Sequence, residues 1–292
     1  MDSFHHATVA SITRQLFPQS ANGKFAALAS GLSVFLVLIF FVSFFTGIND
    51  AIALNPKSLF YFNLGRLSNY PLGHLSLLHL ILNVVALYGP LARFEMVHGT
   101  VYTGIVLNVL AMATAIPFCI VGIVLFRDVH VIGASGWVFS FAAYFAYRES
   151  LNVPVFRINS NFAVPTLYTP VLFLVVITIL MPGSSFWGHL FGLIAGYLLG
   201  FGYLDKFIQP PTKKVVPFIE SKVDFLIRLI PSQFLYLKEE ATATSRADFY
   251  SRNGRTIIPM TEGGANKRQS MPPTPATEAP SGFQGPGHTL NG

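Results

Sequence analysis

From Phe25 to Thr46 the chain runs almost without polar interruption through Phe, Leu, Val and Ile. A helix needs about 20 consecutive apolar residues to cross a ~30 Å hydrocarbon core, and such runs recur. Further candidates lie at about Leu72 to Leu91, Val101 to Phe126 (with Pro117 as a candidate kink), Thr166 to Met181 and Ser184 to Tyr203. A shorter apolar segment opens at Gly133-Ala134-Ser135-Gly136 and reaches about Tyr147. At ~1.5 Å per residue it extends ~22 Å, so its start lies below the membrane surface. With 52% of 292 residues apolar and 11% charged, no single soluble core could hide this surface. The expected fold is an all-α membrane protein with six transmembrane helices.

The loops orient it. Arg14, Lys24, Arg93, Arg148, Arg157, Lys206, Lys213 and Lys214 fall on the side of the termini, against Lys57, Arg66 and Arg127 on the other, which places both termini in the cytosol. The same cytosolic excess accounts for the net charge of +6, so nucleic acid is not an expected partner. The N-terminus has no early apolar core, so the first span acts as an uncleaved signal. The only cysteine, Cys119, excludes an intramolecular disulfide and a cysteine metal cluster. Four regions follow: residues 1–24 as a cytosolic N-terminal segment, 25–203 as the six-helix core, 204–240 as a juxtamembrane segment, and 241–292 as a largely disordered cytosolic tail rich in Ser, Thr, Pro and Gly. In the juxtamembrane segment, Pro217 to Ile230 has amphipathic spacing, fitting a helix on the cytosolic leaflet or one packed on the cytosolic loops. The long connector Gly47 to Pro71 carries Leu59, Phe60, Tyr61 and Phe62, as a loop in the membrane interface would.

Polar residues inside spans are costly and usually have a task. The second span carries His74, His79 and Asn83, the last two on one helical face. The fourth begins with Ser135. The sixth carries His189, followed by Gly192, Gly196 and Gly200, a stripe that admits another backbone, with Gly136 as its counterpart. Each feature alone fits helix packing. The second, fourth and sixth spans, however, enter from one face, and each bears its polar group near that entry. Ser135, His189, His79 and Asn83 therefore share a depth, which independent packing devices have no reason to do. Serine needs a base to become nucleophilic, and His189 is placed to serve. No Asp or Glu lies in the spans near that depth, so a dyad is expected. The Ser135 backbone amide at a helix N-terminus, with His79 and Asn83, supplies donors for an oxyanion.

This combination resembles the rhomboid intramembrane serine proteases. The likeness covers Phe25 to Tyr203 and rests on three motifs in order on the second, fourth and sixth spans: His74-x4-His79-x3-Asn83, Gly133-x-Ser135-Gly136 and Gly188-His189-x2-Gly192. It implies a six-helix rhomboid bundle in which Ser135 is the nucleophile and His189 the base. His79, Asn83, the Ser135 backbone and Gly133 then surround the oxyanion, with His74, Arg66, Gly136, Gly192 and Phe139 in support. No cofactor and no metal are implied. The implied substrates are transmembrane helices of single-span proteins, cut where small or polar residues let the helix unwind, since a hydrogen-bonded helix shields its carbonyls. Two positions depart from the pattern: Gly65 stands before Arg66 where the family has Trp, and Phe139 stands where bacterial relatives often have Tyr.

Within the family, a six-span core with a long cytosolic tail most resembles the fungal Golgi rhomboid proteases. That implies a Golgi membrane, with the endoplasmic reticulum as alternative, and membrane-tethered transcription-factor precursors among the substrates. The tail motif Phe283-x-Gly285-x-Gly287-x2-Leu290 fits the peptide that docks on the AAA unfoldase valosin-containing protein. The rival reading is an inactive, derlin-like scaffold handing membrane proteins to that unfoldase; inactive members commonly lack the serine or histidine, and both are present here.

Overall fold

The computed structural model describes residues 16–159, 161–242 and Arg246. The expectations for residues 1–15, and for the tail motif Phe283, Gly285, Gly287 and Leu290, fall outside the described residues.

Among the described residues, the long helices up to Gly200 are α1 (Ala27–Ser43), α2 (Leu77–His98), α3 (Thr100–Leu125), α4 (Ser135–Ser150), α5 (Thr169–Leu180) and α6 (Phe186–Gly200). Two of them, α2 with 22 residues and α3 with 26, are long and apolar enough to cross a membrane. The others run 17, 16, 12 and 15 residues. The chain is mainly helical, but the all-α expectation needs amending. Val155–Arg157 and Ala163–Pro165 form a short antiparallel pair inside the polar stretch after α4, and Phe25–Ala26 pairs in parallel with Phe234–Leu235.

α2 departs most from its expected bounds. Its start moves from Leu72 to Leu77, because Tyr70–Leu72 makes a 3-10 turn and the Ser76 hydroxyl caps the helix by accepting the His79 amide at 3.2 Å. His74 therefore lies in the loop before the helix. Its end moves from Leu91 to His98, through Arg93 and Glu95, which hydropathy reads as loop. The fully buried Glu95 carboxylate accepts the amides of Leu28 (2.8 Å) and Ala29 (2.9 Å) at the start of α1 and the Thr100 hydroxyl (2.8 Å). A charged residue so satisfied stays in a packed helix end.

α4 is central, packed against α2, α3, α5 and α6. Gly136, Phe139, Ser140, Phe141, Ala143 and Tyr144 are buried along it. The outer helices α1 and α5 instead expose Val34, Phe35, Leu38, Val171, Val175 and Ile179, an apolar exterior that suits lipid and not water. The core is tightest where α4 meets α6. A Cβ on Gly192 would sit 2.5 Å from the Gly136 carbonyl oxygen, and one on Gly196 only 2.0 Å from that of Ser140.

After α6 the chain continues as α7 (Asp205–Lys222) and α8 (Asp224–Ile227), so helix begins well before the expected Pro217 and breaks at Val223. The following segment folds back onto the helix ends far from Ser135. Leu237 exchanges hydrogen bonds with Thr100, through its carbonyl to the Thr100 amide (3.0 Å) and its amide to Thr100 Oγ1 (2.9 Å). Arg246 donates to the His98 carbonyl (2.6 Å), pairs with Glu239 and lies 4.1 Å over the Tyr102 ring. The packed chain thus reaches Arg246.

Candidate active site

Ser135 is the first residue of α4, and the turn before it is held from three sides. Val131 and Leu54 exchange backbone hydrogen bonds at 2.8 and 2.9 Å, the Gly133 amide donates to the Tyr70 carbonyl at 3.0 Å, and the Ala134 amide donates to His74 Nε2 at 3.5 Å. Gly133 has φ +129°, which a side chain rarely tolerates, and a Cβ there would lie 2.6 Å from His79 Cε1 and 2.9 Å from His79 Nε2. Glycine is required here by backbone and by space.

His189 sits in the first turn of α6, whose Ser185 cap accepts the Gly188 amide at 3.1 Å. Its Nε2 is 3.0 Å from Ser135 Oγ. Residues 54 apart in sequence meet because the glycine contacts bring α4 and α6 almost backbone to backbone. The Phe139 ring, one turn after Ser135, stacks on His189 with centroids 4.5 Å apart and 27° between planes, and Phe173 of α5 backs it at 5.0 Å. For Nε2 to accept the serine proton, the ring's own proton belongs on Nδ1. Nδ1 is buried with no hydrogen-bond partner among the described residues, so no carboxylate orients the imidazole. The Phe139 stack and the 3.0 Å contact with Ser135 are what the structure provides for it.

His79 and Asn83 approach the same turn from α2. Asn83 is buried and its Nδ2 lacks an acceptor, lying 3.6 Å from the position a Gly133 Cβ would occupy. A buried amide donor without a partner is costly, and this one, with His79, borders the point where an acyl oxygen would reach Ser135. Nucleophile, base and idle donors are the parts an acyl-transfer site needs.

The supporting residues are arranged around this centre. His74, fully buried, touches His79 edge to face at 5.1 Å, and its carbonyl accepts from Asn49 Nδ2 at 3.1 Å. Arg66 lies outside it, its guanidinium donating to the carbonyls of Ala53 and Asp50, each at 2.8 Å, which ties down the connector. At Gly65 a Cβ would meet only Asn63 Oδ1, at an ordinary 3.6 Å, so space does not demand glycine there. Sequence reasoning passed over Ser140. Its hydroxyl, fully buried, lies 2.9 Å from the Gly136 carbonyl and 2.7 Å from that of Gly192, stitching α4 to α6. The signal was present, since Gly136 and Ser140 make a small-residue pair facing Gly192 and Gly196.

A family model described as Rhomboid domain matches residues 61–206, which hold Arg66, His74, His79, Asn83, Ser135 and His189. Rhomboid-type serine protease 2 of Yarrowia lipolytica is 46% identical over 233 residues, covering 79% of this chain and 78% of the relative. The chain belongs to the rhomboid family. Relatives of the same designation extend through fungi: that of Saccharomyces cerevisiae is 46% identical over 218 residues (74% of this chain, 82% of the relative), and that of Neurospora crassa 41% over 180 residues (61% and 64%). The rhomboid assignment makes the chain a serine protease of a membrane-embedded family, in keeping with its apolar exterior.

Proposed function

We propose that this rhomboid protease is an intramembrane endopeptidase that cuts the transmembrane helices of single-span proteins through a Ser135–His189 dyad. The observation that carries the reading is the 3.0 Å contact between Ser135 Oγ and His189 Nε2, beside the unpaired Asn83 Nδ2 and with no partner on His189 Nδ1 among the described residues. Ser135 Oγ attacks the scissile carbonyl carbon while His189 takes its proton. The tetrahedral oxyanion is met by the Ser135 amide, His79 and Asn83 Nδ2. Collapse breaks the C–N bond, His189 returns the proton to the leaving amine, and water, deprotonated by His189, hydrolyses the acyl-serine. A substrate helix must unwind to present its carbonyl, so small or polar residues near the cut favour cleavage.

The reading includes six crossings with both termini cytosolic, supported by the loop-charge asymmetry. It places the protein in Golgi membranes, or in the endoplasmic reticulum, with membrane-tethered transcription-factor precursors as candidate substrates, on its likeness to fungal rhomboids. Its tail docks on the AAA unfoldase valosin-containing protein through Phe283, Gly285, Gly287 and Leu290. The test is a co-expression screen for release of tagged single-span proteins: Ser135→Ala and His189→Ala should each abolish release. A Ser135→Ala protein with full activity in liposomes would overturn the dyad. Wild-type protein that no fluorophosphonate labels would favour the derlin-like scaffold instead. A pull-down in which Phe283→Ala binds the unfoldase as well as wild type would remove that partner.

A further inference from the structure

The segment after the core has a buried side and an exposed one. On α7, Ile208, Val216 and Glu220 are buried, as is Leu204 just before it, and the helix packs against α3. A stripe at eleven-, seven- and four-residue spacing remains uncovered: Phe207 is 57% exposed, Phe218 62%, Phe225 65% and, just past α8, Leu229 73%. Past the break at Val223, Phe225 and Leu229 add to this exposed apolar set. Three large aromatic residues exposed within one short stretch call for a partner.

Position limits what that partner can be. Only Phe201 to Leu204 separate the end of α6 from the start of α7, and four residues reach at most ~14 Å even fully extended. Gly202, at φ +80°, turns the chain within that short link. The helix is therefore held at the level where a membrane-spanning core leaves the hydrocarbon, beside the headgroup layer.

Charge narrows it further. Lys206 Nζ lies 5.1 Å over the Phe207 ring and Lys222 Nζ lies 5.7 Å over the Phe218 ring, so each ammonium stands at the edge of the apolar stripe. The acidic residues beyond the first turn are engaged elsewhere. Glu220 turns inward and accepts from the Tyr236 hydroxyl (3.0 Å) and the Glu239 amide (3.1 Å), while Asp224 is ion-paired with Arg228 (2.7 Å) and Lys238 (2.6 Å). Aromatic rings flanked by ammonium groups, with Glu220 turned inward and Asp224 ion-paired, match acyl chains lying beneath anionic phosphates.

We infer that α7 and α8 form a docking surface for an anionic lipid leaflet, with Phe207, Phe218, Phe225 and Leu229 entering the acyl boundary and Lys206 and Lys222 meeting headgroup phosphates. The inference rests on the membrane setting of the protein and not on the dyad. α7 thus faces the core with its buried side and lipid with its exposed aromatic side.

The test uses the full chain in nanodiscs of phosphatidylcholine with or without phosphatidylserine, carrying an environment-sensitive dye on Phe218→Cys or, for comparison, on Gln233→Cys, an exposed position outside both helices. Native Cys119 is fully buried and stays in place. The Phe218 dye should be quenched by doxyl-labelled lipid and shielded from aqueous iodide, more strongly with phosphatidylserine, whereas the Gln233 dye stays open to iodide. Replacing Lys206 or Lys222 by Gln should reduce the docked-to-undocked ratio on the anionic leaflet about fivefold each. Fluorophosphonate labelling of Ser135 in every variant reports a folded core independently of docking. A Phe218 dye open to iodide in both lipids overturns the proposal, as does shielding that appears in detergent and rises with protein concentration, which would make a second copy the partner. Equal shielding in both lipids overturns the anionic assignment.

Discussion

Gly133 and Asn83 show how little separates an open proposed oxyanion site from a closed one. A methyl group on Gly133 would have to adopt φ +129° and press to 2.6 Å of the His79 ring. Gly133→Ala should therefore remove nearly all cleavage, with fluorophosphonate labelling of Ser135 slowed in parallel. Asn83→Ala removes a donor that has no other task in the structure. It should lower kcat about 10²–10³-fold, or ~3–4 kcal/mol of transition-state stabilisation, with thermal stability nearly unchanged because no intramolecular hydrogen bond is lost. A fall in melting temperature matching the fall in rate would make Asn83 a packing residue. These polar residues were legible in the sequence because a membrane span tolerates few of them. Which of them touch was not, and His74, read as part of the span, turned out to sit in the loop where it holds the Ala134 amide.

At the scale of elements, catalytic geometry depends on how closely α4 and α6 approach. Gly196→Ala would put a Cβ 2.0 Å from the Ser140 carbonyl oxygen, an atom that cannot move without its helix. The helices must separate, at a cost of about 1–3 kcal/mol or more, and Ser135 and His189 lie on those same two helices. Gly196→Ala should lower both melting temperature and activity. Gly104→Ala in α3, where a Cβ meets nothing within 4 Å, should lower neither, and this paired measurement separates crowding from a general intolerance of alanine. Spacing in the sequence announced the glycine stripe. Helix ends were less legible, because hydropathy ended α2 at Leu91 whereas the carboxylate of Glu95 keeps it helical to His98.

Across the whole molecule, the chain beyond α8 closes over the ends of α1, α2 and α3. The Arg246 and Glu239 side chains are only 12% and 7% exposed in their ion pair, so Arg246→Ala strands a buried carboxylate, a change that typically costs about 3–5 kcal/mol. Limited proteolysis should then cut between Ile230 and Thr242 in the variant and spare the wild type, with dyad labelling retained. Equal cleavage of both proteins would show that the clasp contributes nothing. Glu95→Ala should reach further, since it leaves the Leu28 and Ala29 amides unpaired at the start of α1, at about 1–3 kcal/mol for each buried donor. Little in the sequence foretold this closure, because its contacts join residues more than a hundred positions apart, as Leu237 with Thr100 or Arg246 with His98.

The sequence by itself determined the apolar segments, the polar residues placed among them and the family they resemble, because hydropathy and short motifs are properties of neighbours along the chain. Only the tertiary structure decided that Ser135 and His189 stand 3.0 Å apart, and that the segment after α8 folds back on the core. Those outcomes depend on how closely separate helices pack, and that is set by glycines and buried hydrogen bonds acting across long stretches of chain.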